Sequence, residues 1–403
     1  MENKPRILRI LNRFIVGGPV LNVSLLSKYL EDDFETLLIG GLPEDNEESS
    51  LYIPEKYGVK PFLLKELQRS LNPSQDWKAY WKIRQIIREF KPDIVHTHAS
   101  KAGAVGRLAA KHENVPVIVH TFHGHVFHSY FGPLRTTFYK NIERYLARQS
   151  DLIVAISDKL EQELTEVHHI ANPDKVKNIP LGFDLDAFFP HDEANRRLFR
   201  DKWKLDEDVF AVGIIGRIVP VKNHLLLIRA AAKIKDKLKK KVRFVIVGDG
   251  TERPNLEVEL DKLGLTYTYK NPGKGEEDFL FTSWEKDIPQ VLAGLDMVCL
   301  CSFNEGTPVS LIEAQASGKA ILSTAVGGIE NAVIPNKSAL LSSTDLDEFS
   351  EKLITLIEND ALRSEMEGIG RDFVLENFHY KRLASDFKSV YIKLLEEKKR
   401  QVF

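Results

Sequence analysis

Short apolar runs alternate with helical patterns along this chain of 403 residues, and the alternation limits its fold more than any other feature. Runs such as residues 6–11 and 115–121 have the length of strands, and stretches with apolar residues three or four positions apart follow them. The alternation starts again at residues 210–215, behind a charged segment. Because strand–helix alternation produces parallel sheets covered by helices, we expect an α/β protein with two doubly wound domains.

The most specific motif begins where the apolar run 297–300 ends. Thr307 suits a helix N-cap and Pro308 suits the first helical position, where its missing N–H is not needed. Gly318 suits the residue after a helix end. These residues predict a helix over 308–317, preceded by a loop at the carboxyl end of a buried strand.

Two carboxylates flank the mouth of this predicted helix. Glu305 lies in the loop, and Glu313 lies nearly two turns inside the helix. The first amides of the helix would point out of the mouth and attract an anion, above all a phosphate. These amides belong to Val309, Ser310 and Leu311. A carboxylate beside a phosphate must contact something else, and sugar hydroxyls are suitable partners.

A basic pair follows the strand predicted at residues 210–215. Arg217 and Lys222 are five positions apart, directly after Gly216. An arginine fork and a lysine point charge at one strand end can bind the same diphosphate. The alternative is two solvated basic side chains, and the neighbouring glutamate loop favours the diphosphate.

Other polar or glycine residues follow strand ends in the first half of the chain. Gly17 and Gly18 follow the first strand and allow close approach of a phosphate, but the dinucleotide fingerprint is absent. His98, His123 and His125 follow two later strands, where α/β sheets bind ligands. Three histidines suggest a metal, yet no further ligand is evident, so we expect no metal and no cofactor.

Composition excludes several classes of function. Lys and Arg total 56 against 58 for Asp and Glu, so the basic surplus of a nucleic-acid binder is absent. The two cysteines, Cys299 and Cys301, are too few for a metal site and fit core packing in a reducing cytoplasm. Neither a signal peptide nor an apolar run of about 20 residues, the length of a bilayer span, is evident.

Two motifs together resemble the retaining glycosyltransferases of family 4, which have the GT-B fold. They are the glutamate pair Glu305 and Glu313, with seven residues between, and the G-R-x-x-x-x-K pattern that ends at Lys222. The resemblance implies two Rossmann-like domains facing each other across a cleft, with the last helix crossing back to the first domain. We therefore expect an acceptor-side domain over 1–183 with 383–403, and a nucleotide-sugar domain over 184–382.

The resemblance also implies roles for these residues. Arg217, Lys222 and the helix mouth, with Gly306, Thr307 and Pro308 in its loop, would bind the donor diphosphate, and Gly17 and Gly18 would face it. Glu313 would hold the ribose, and Glu305 would contact the transferred sugar. His123 would contact sugar or acceptor. The leaving phosphate would take the acceptor proton.

The implied activity is metal-independent, retaining transfer of a sugar from a nucleotide donor, expected to be a UDP-sugar, to a glycan or lipid-linked sugar in cell-surface polysaccharide synthesis. A sugar-nucleotide 2-epimerase of the same fold and an inactive nucleotide-sugar-binding protein are the alternatives. The expected location is the cytoplasm, with transient contact to the inner membrane face.

The membrane hypothesis depends on one segment. Residues 126–134 are rich in aromatics, and the helix predicted over 135–149 carries a basic row, Lys140, Arg144 and Arg148, at four-residue spacing. The apolar residues of the same helix, Phe138, Ile142, Tyr145 and Leu146, lie on another face. Basic residues beside aromatics favour an anionic lipid surface, although the aromatics could instead pack inward with the basic row solvated.

Overall fold

A computed structural model describes residues 4–15, 18–43, 49–68, 72–124 and 133–401. The chain divides into two compact units. Unit 1 runs up to Phe183 and resumes at Phe378, and unit 2 is Asp184–Asn377. Each unit contains one seven-stranded parallel sheet.

The sheet of unit 1 has the order β3–β2–β1–β4–β5–β6–β7. Its strands are β1 (Arg6–Arg13), β2 (Glu35–Gly41), β3 (Phe62–Leu63), β4 (Ile94–His98), β5 (Val117–Thr121), β6 (Leu152–Ala155) and β7 (Val176–Asn178). The strand order reverses between β1 and β4, so the loops that follow these strands flank a topological switch point.

Helices cover both faces of this sheet. The first six are α1 (Gly18–Tyr29), α2 (Tyr52–Lys56), α3 (Pro73–Phe90), α4 (Ser100–His112), α5 (Pro133–Gln149) and α6 (Asp158–Gln162). The long helix α3 shows why these segments are helical: Asn72 caps its first amides, and Ala79, Ile83 and Ile87 form a buried stripe at four-residue spacing. Lys91 ends it in the left-handed conformation, directly before Pro92.

Unit 2 repeats this architecture with the order β10–β11–β9–β8–β12–β13–β14. Its strands are β8 (Val209–Ile215), β9 (Lys241–Val247), β10 (Tyr267–Tyr269), β11 (Phe279–Ser283), β12 (Met297–Leu300), β13 (Ala320–Thr324) and β14 (Ala339–Ser342). Strands β8 and β12 are buried along their whole length, as expected for central parallel strands. The switch point of this sheet lies between β8 and β12.

The helices of unit 2 connect these strands, and the final helix returns to unit 1. They are α7 (Glu193–Trp203), α8 (His224–Ile234), α9 (Arg253–Lys262), α10 (Ile288–Gly294), α11 (Val309–Ala316), α12 (Leu346–Glu358) and α13 (Asp360–Phe378). Helix α14 (Tyr380–Gln401) buries Leu383, Phe387 and Tyr391 in a core cluster that includes Ile7 of β1. The predicted α/β architecture and the returning C-terminal helix are confirmed.

Helix α5 exposes part of its apolar side. Leu146 is buried, but Phe138 and Tyr145 are 62% and 52% exposed. The helix presents Glu143, Leu146 and Ala147 to the interior instead. The apolar side of this helix is therefore only partly buried. Of the aromatic segment 126–134, residues 126–132 lie outside the described residues. None of the described helices has the length and apolar character needed to cross a membrane.

Candidate functional site

The loops that follow β8 and β12 meet at one edge of unit 2. The two strands are neighbours in the sheet, and both loops leave from their carboxyl ends. The amide of Phe303 donates to the carbonyl of Val221 at 2.8 Å, which joins the loops directly. The structure thus brings the predicted basic pair and the glutamate loop together at the switch point, where α/β sheets bind ligands.

Glycines allow the backbone to pack closely at this edge. A Cβ on Gly248, which has φ +135°, would lie 2.0 Å from the carbonyl oxygen of Gly216. Likewise, a Cβ on Gly327 or Gly328 would lie 2.1 Å from the carbonyl oxygen of Glu305 or Gly306, respectively. The amide of Gly328 donates to the Glu305 carbonyl at 2.9 Å. The glutamate loop is therefore held by a second glycine turn.

The Glu305 carboxylate is fixed through one of its oxygens. Lys222 Nζ donates to Oε1 at 2.6 Å, and the Ser302 hydroxyl donates to the same atom at 2.5 Å. The Ser302 backbone is itself held, because the Thr324 hydroxyl donates to its carbonyl at 2.7 Å. Among the described residues, Oε2 has no hydrogen-bond partner and remains available to a ligand. Sequence reasoning missed Ser302, which carries no signal beyond its position three residues before Glu305.

Arg217 and Lys222 differ in their surroundings. Lys222 is partly buried in its ion pair with Glu305. The Arg217 side chain is exposed, and within the described part of the chain it makes no hydrogen bond or ion pair. One cation is therefore tied to the carboxylate, and the other can turn toward an incoming anion.

The mouth of α11 departs from the prediction in two ways. The helix starts at Val309, so Pro308 rather than Thr307 is the N-cap residue, and no side chain caps the helix. The first turn is tighter than an α-helical turn: the Leu311 amide donates to the carbonyl of Pro308, three residues earlier, at 3.0 Å. Only the amides of Val309 and Ser310 therefore lack a partner among the described residues. Gly318, with φ +63°, follows the end of the helix as expected.

Glu313 lies inside the first turns of α11, largely surrounded by protein. Its carboxyl group has no hydrogen-bond partner among the described residues, and burial raises its pKa to about 7. A carboxylate without a protein partner is a suitable acceptor for hydroxyl groups of a ligand. Its charge state changes near neutral pH.

The glycine pair of unit 1 is only partly described. Gly17 lies outside the described residues. Gly18 begins α1, and a Cβ there would approach Leu181 Cδ1 only to 3.6 Å, which is an ordinary contact. The packing of unit 1 therefore does not require glycine at position 18.

His123 and His98 form a pair at the ends of β5 and β4. His98 Nδ1 lies 3.0 Å from His123 Nε2, so one ring donates to the other. The remaining nitrogens, Nε2 of His98 and Nδ1 of His123, are buried without a partner. Burial lowers the pKa of His123 to about 4, so its ring is neutral near pH 7. His125 lies outside the described residues.

These arrangements define two chemical capacities. The edge of unit 2 combines two cations and two free amides with two carboxylates, which suits an anion joined to a polyhydroxyl group. The edge of unit 1 offers neutral imidazole nitrogens. No cluster of three or more His, Cys, Asp or Glu suited to a metal occurs among the residues that the structure describes.

Known families match both halves of the chain. The family described as Glycosyltransferase Family 4 matches residues 16–187, and the one described as Glycosyl transferases group 1 matches residues 195–373. A curated relative from Escherichia coli, UDP-Gal:alpha-D-GlcNAc-diphosphoundecaprenol alpha-1,3-galactosyltransferase, is 29% identical over 344 residues. These cover 84% of this chain and 85% of the relative.

Solved structures match the whole architecture. A glycosyltransferase from Rickettsia africae superimposes with a TM-score of 0.80 at 21% identity, covering 98% of this chain and 99% of the other. HepE from Anabaena in complex with UDP gives a TM-score of 0.79 at 20% identity, covering 96% and 100%. The fold and the matched families thus define a glycosyltransferase of the GT-B fold. The chain belongs to glycosyltransferase family 4.

Proposed function

We propose that this enzyme transfers a sugar, with retention of configuration and without a metal, from a UDP-sugar to a hydroxyl of a lipid-linked sugar or glycan in cell-surface polysaccharide synthesis. The observation that carries the proposal is the Lys222–Glu305 ion pair beside exposed Arg217. A carboxylate suited to a sugar hydroxyl lies next to cations suited to a diphosphate, and this proximity supports the proposal. The UDP complex of HepE and the UDP-Gal donor named for the E. coli relative support the choice of nucleotide.

The diphosphate is the leaving group in this proposal. Negative charge grows on it as the glycosidic bond breaks, so Arg217, Lys222 and the amides of Val309 and Ser310 stabilise the transition state more than the ground state. Gly306, exposed and without a Cβ, leaves room for the phosphates beside the mouth. These groups perform the neutralisation that a metal ion supplies elsewhere.

The two glutamates contact the two sugars of the donor. Glu313 accepts hydrogen bonds from the ribose hydroxyls, and Oε2 of Glu305 faces the transferred sugar as positive charge develops at its anomeric carbon. His123, neutral at physiological pH, hydrogen-bonds the sugar or the acceptor. The departing phosphate takes the proton from the acceptor hydroxyl. The new glycosidic bond thus forms on the face that the phosphate leaves.

The acceptor is assigned to the lipid-linked class. The E. coli relative is named for an acceptor sugar on diphosphoundecaprenol, and its match covers 84% of this chain. A polyprenyl carrier resides in a membrane, so the enzyme must reach a bilayer surface to meet its acceptor. We therefore place it at the cytoplasmic face of the cell membrane, in transient contact.

The product should keep the anomeric configuration of the donor, and the rate should be unchanged by EDTA. Both follow because cationic side chains and helix amides neutralise the leaving group on the face that is attacked. NMR coupling constants of the anomeric proton in the product report the configuration. An inverted product, or activity that EDTA removes and a divalent cation restores, would contradict the mechanism. Release of nucleotide from the donor in the absence of an acceptor would instead support a sugar-nucleotide 2-epimerase. No release of nucleotide under any condition would support an inactive nucleotide-sugar-binding protein.

Affinity for the nucleotide sugar should increase with pH through neutrality. Below its pKa of about 7, Glu313 is protonated and accepts poorly from ribose hydroxyls. Because one group titrates, affinity should rise roughly tenfold between about pH 6 and about pH 8. Calorimetry should use the nucleotide sugar rather than UDP, whose terminal phosphate also titrates in this range. The matched variant Glu313→Gln should bind more weakly and without this pH dependence. An equal slope in the variant would assign the titration to another group.

A further inference from the structure

Exposed aromatic side chains lie on the outer surfaces of two helices of unit 1. Trp77 and Trp81 of α3 are 62% and 43% exposed, and Phe138 and Tyr145 of α5 are 62% and 52% exposed. Single exposed aromatics are common on protein surfaces. Two pairs of exposed aromatics on helices of one unit are not explained in that way.

The helical spacing directs each pair away from the interior. In α3, Ala79, Ile83 and Ile87 are buried, and Trp77 and Trp81 lie on the opposite side, one turn apart. Their rings contact each other edge to face, with centroids 5.7 Å apart. In α5, Phe138 and Tyr145 are seven residues apart and therefore share one stripe, opposite the buried Glu143 and Ala147. Both pairs thus point into solvent.

Topology places both pairs on one side of unit 1. The connections from β3 to β4, β4 to β5 and β5 to β6 run in the same direction across the sheet. Since such crossovers are right-handed, α3, α4 and α5 cover the same face. Helix α4 packs between the other two. We call the outer surface of this layer, with Trp77, Trp81, Phe138 and Tyr145, the aromatic face.

Positive charge accompanies these aromatics. Across α3, which the structure describes in full, the exposed charged residues are Lys78, Lys82 and Arg88 against Glu89, and Arg88 is paired with Glu113. Helices α4 and α5 add exposed Lys111 and Arg148. Tryptophan and tyrosine with nearby lysine and arginine are the composition that favours the headgroup region of an anionic bilayer. The protein as a whole has a net charge of −2, so the excess of cations is local.

The structure changes the role of the basic row predicted on α5. The Arg144 guanidinium donates to the carbonyls of His168 and His169 at 2.8 and 3.0 Å. It therefore holds α5 to the segment after α6, and its removal would disturb the fold. Lys78 and Lys82 of α3 form no ion pair with the described residues and are better suited to contact lipid.

We propose that the aromatic face is a docking surface for an anionic lipid bilayer. The rings of Trp77, Trp81, Phe138 and Tyr145 enter the headgroup region, while Lys78 and Lys82 contact lipid phosphates. The proposal rests on the lipid-linked acceptor proposed above, because docking there brings unit 1 to the membrane that contains the polyprenyl carrier.

Vesicle flotation of the full chain tests the surface. Wild-type protein should float with phosphatidylcholine vesicles that contain phosphatidylglycerol, and not with phosphatidylcholine alone. Trp77→Ser with Trp81→Ser should weaken partitioning at least tenfold. Lys78→Ala with Lys82→Ala should weaken it about thirtyfold at low salt. Phe138→Ser with Tyr145→Ser provides an independent test on the second helix, in case the tryptophan double variant does not fold.

Matched controls come from unit 2. Phe189→Ser removes an aromatic that is 54% exposed, and Lys237→Ala with Lys286→Ala removes two exposed lysines. Neither should change flotation. In addition, brominated lipids should quench the fluorescence of Trp77 and Trp81. The quenching should disappear in the tryptophan double variant, although Trp203 and Trp284 remain.

Several results would overturn the proposal. They are equal flotation of wild type and both aromatic variants, absence of wild-type binding to acidic vesicles, and equal binding to neutral vesicles. A dimer that the tryptophan substitutions dissociate would make the face a protein interface instead. Transfer to a soluble acceptor without the polyprenyl chain should be unchanged in every variant. If the wild-type protein floats with acidic vesicles but does not transfer sugar to the soluble acceptor, the proposed activity is contradicted and the docking surface is not.

Discussion

Glu305→Gln should lower the turnover number of sugar transfer by about two to three orders of magnitude, the effect typical of removing one electrostatic contact to a transition state. The donor should still bind with nearly wild-type affinity. The carboxylate is assigned to the transferred sugar, where positive charge appears mainly as the glycosidic bond breaks. Interactions made only in the transition state change turnover and leave ground-state binding intact.

The structure makes this substitution a clean test of charge. Oε1 of Glu305 accepts from Lys222 and Ser302, at 2.6 and 2.5 Å. The amide oxygen of glutamine can accept the same two hydrogen bonds, so the side chain keeps its position. The amide NH₂ group then replaces Oε2, and the negative charge that the proposal assigns to the transferred sugar is lost.

Acceptor-dependent release of nucleotide measures turnover, and calorimetry with the nucleotide sugar measures binding. Glu330→Gln is the matched control, because Glu330 is exposed and follows the glycine turn that contacts the same loop. It should retain wild-type turnover. Turnover of Glu305→Gln within a few-fold of wild type would show that the motif has been assigned to the wrong chemistry.

Most of the fold could be predicted from the sequence because central parallel strands leave a strong signal. The apolar run 297–300 corresponds to β12 without any shift, and residues 210–215 differ from β8 by one residue. Both strands are buried on two faces, so nearly every position must be apolar. The start of α11 was less predictable: capping chemistry favoured Thr307, but the turn closes around Pro308.

Contacts between distant side chains could not be predicted. The chain position of Lys222 suggested a phosphate ligand, but its pairing with Glu305, 83 residues later, depends on how two loops meet. Similarly, α5 carries two stripes at helical spacing. Which stripe faces the sheet depends on neighbouring helices and not on α5 itself, so exposure of Phe138 and Tyr145 appears only in the folded chain.

Lys222 belongs to both parts of the proposed chemistry. In the structure it neutralises Glu305, and in the proposed complex it also contacts the diphosphate. Arg217 has no such second partner among the described residues. The two cations should therefore differ when each is removed, although the sequence motif contains them as a pair.

Arg217→Ala and Lys222→Ala should each weaken binding of the nucleotide sugar by about 1.5–3 kcal/mol, the range for hydrogen bonds to charged groups. This corresponds to roughly 10- to 150-fold in affinity. Lys222→Ala should also lower turnover at saturating donor more than Arg217→Ala does, because it leaves the Glu305 carboxylate without its cation.

Calorimetry with UDP and with the nucleotide sugar, followed by turnover at saturating donor, separates the two effects. Lys286→Ala, which removes an exposed lysine elsewhere in unit 2, controls for the change in net charge and should leave both quantities unchanged. Arg217→Lys should restore only part of the affinity, since a point charge cannot replace the planar fork of arginine on a diphosphate. Unchanged donor affinity in both alanine variants would remove the proposed leaving-group site. Equal turnover in the two would show that the ion pair with Glu305 has no part in transfer.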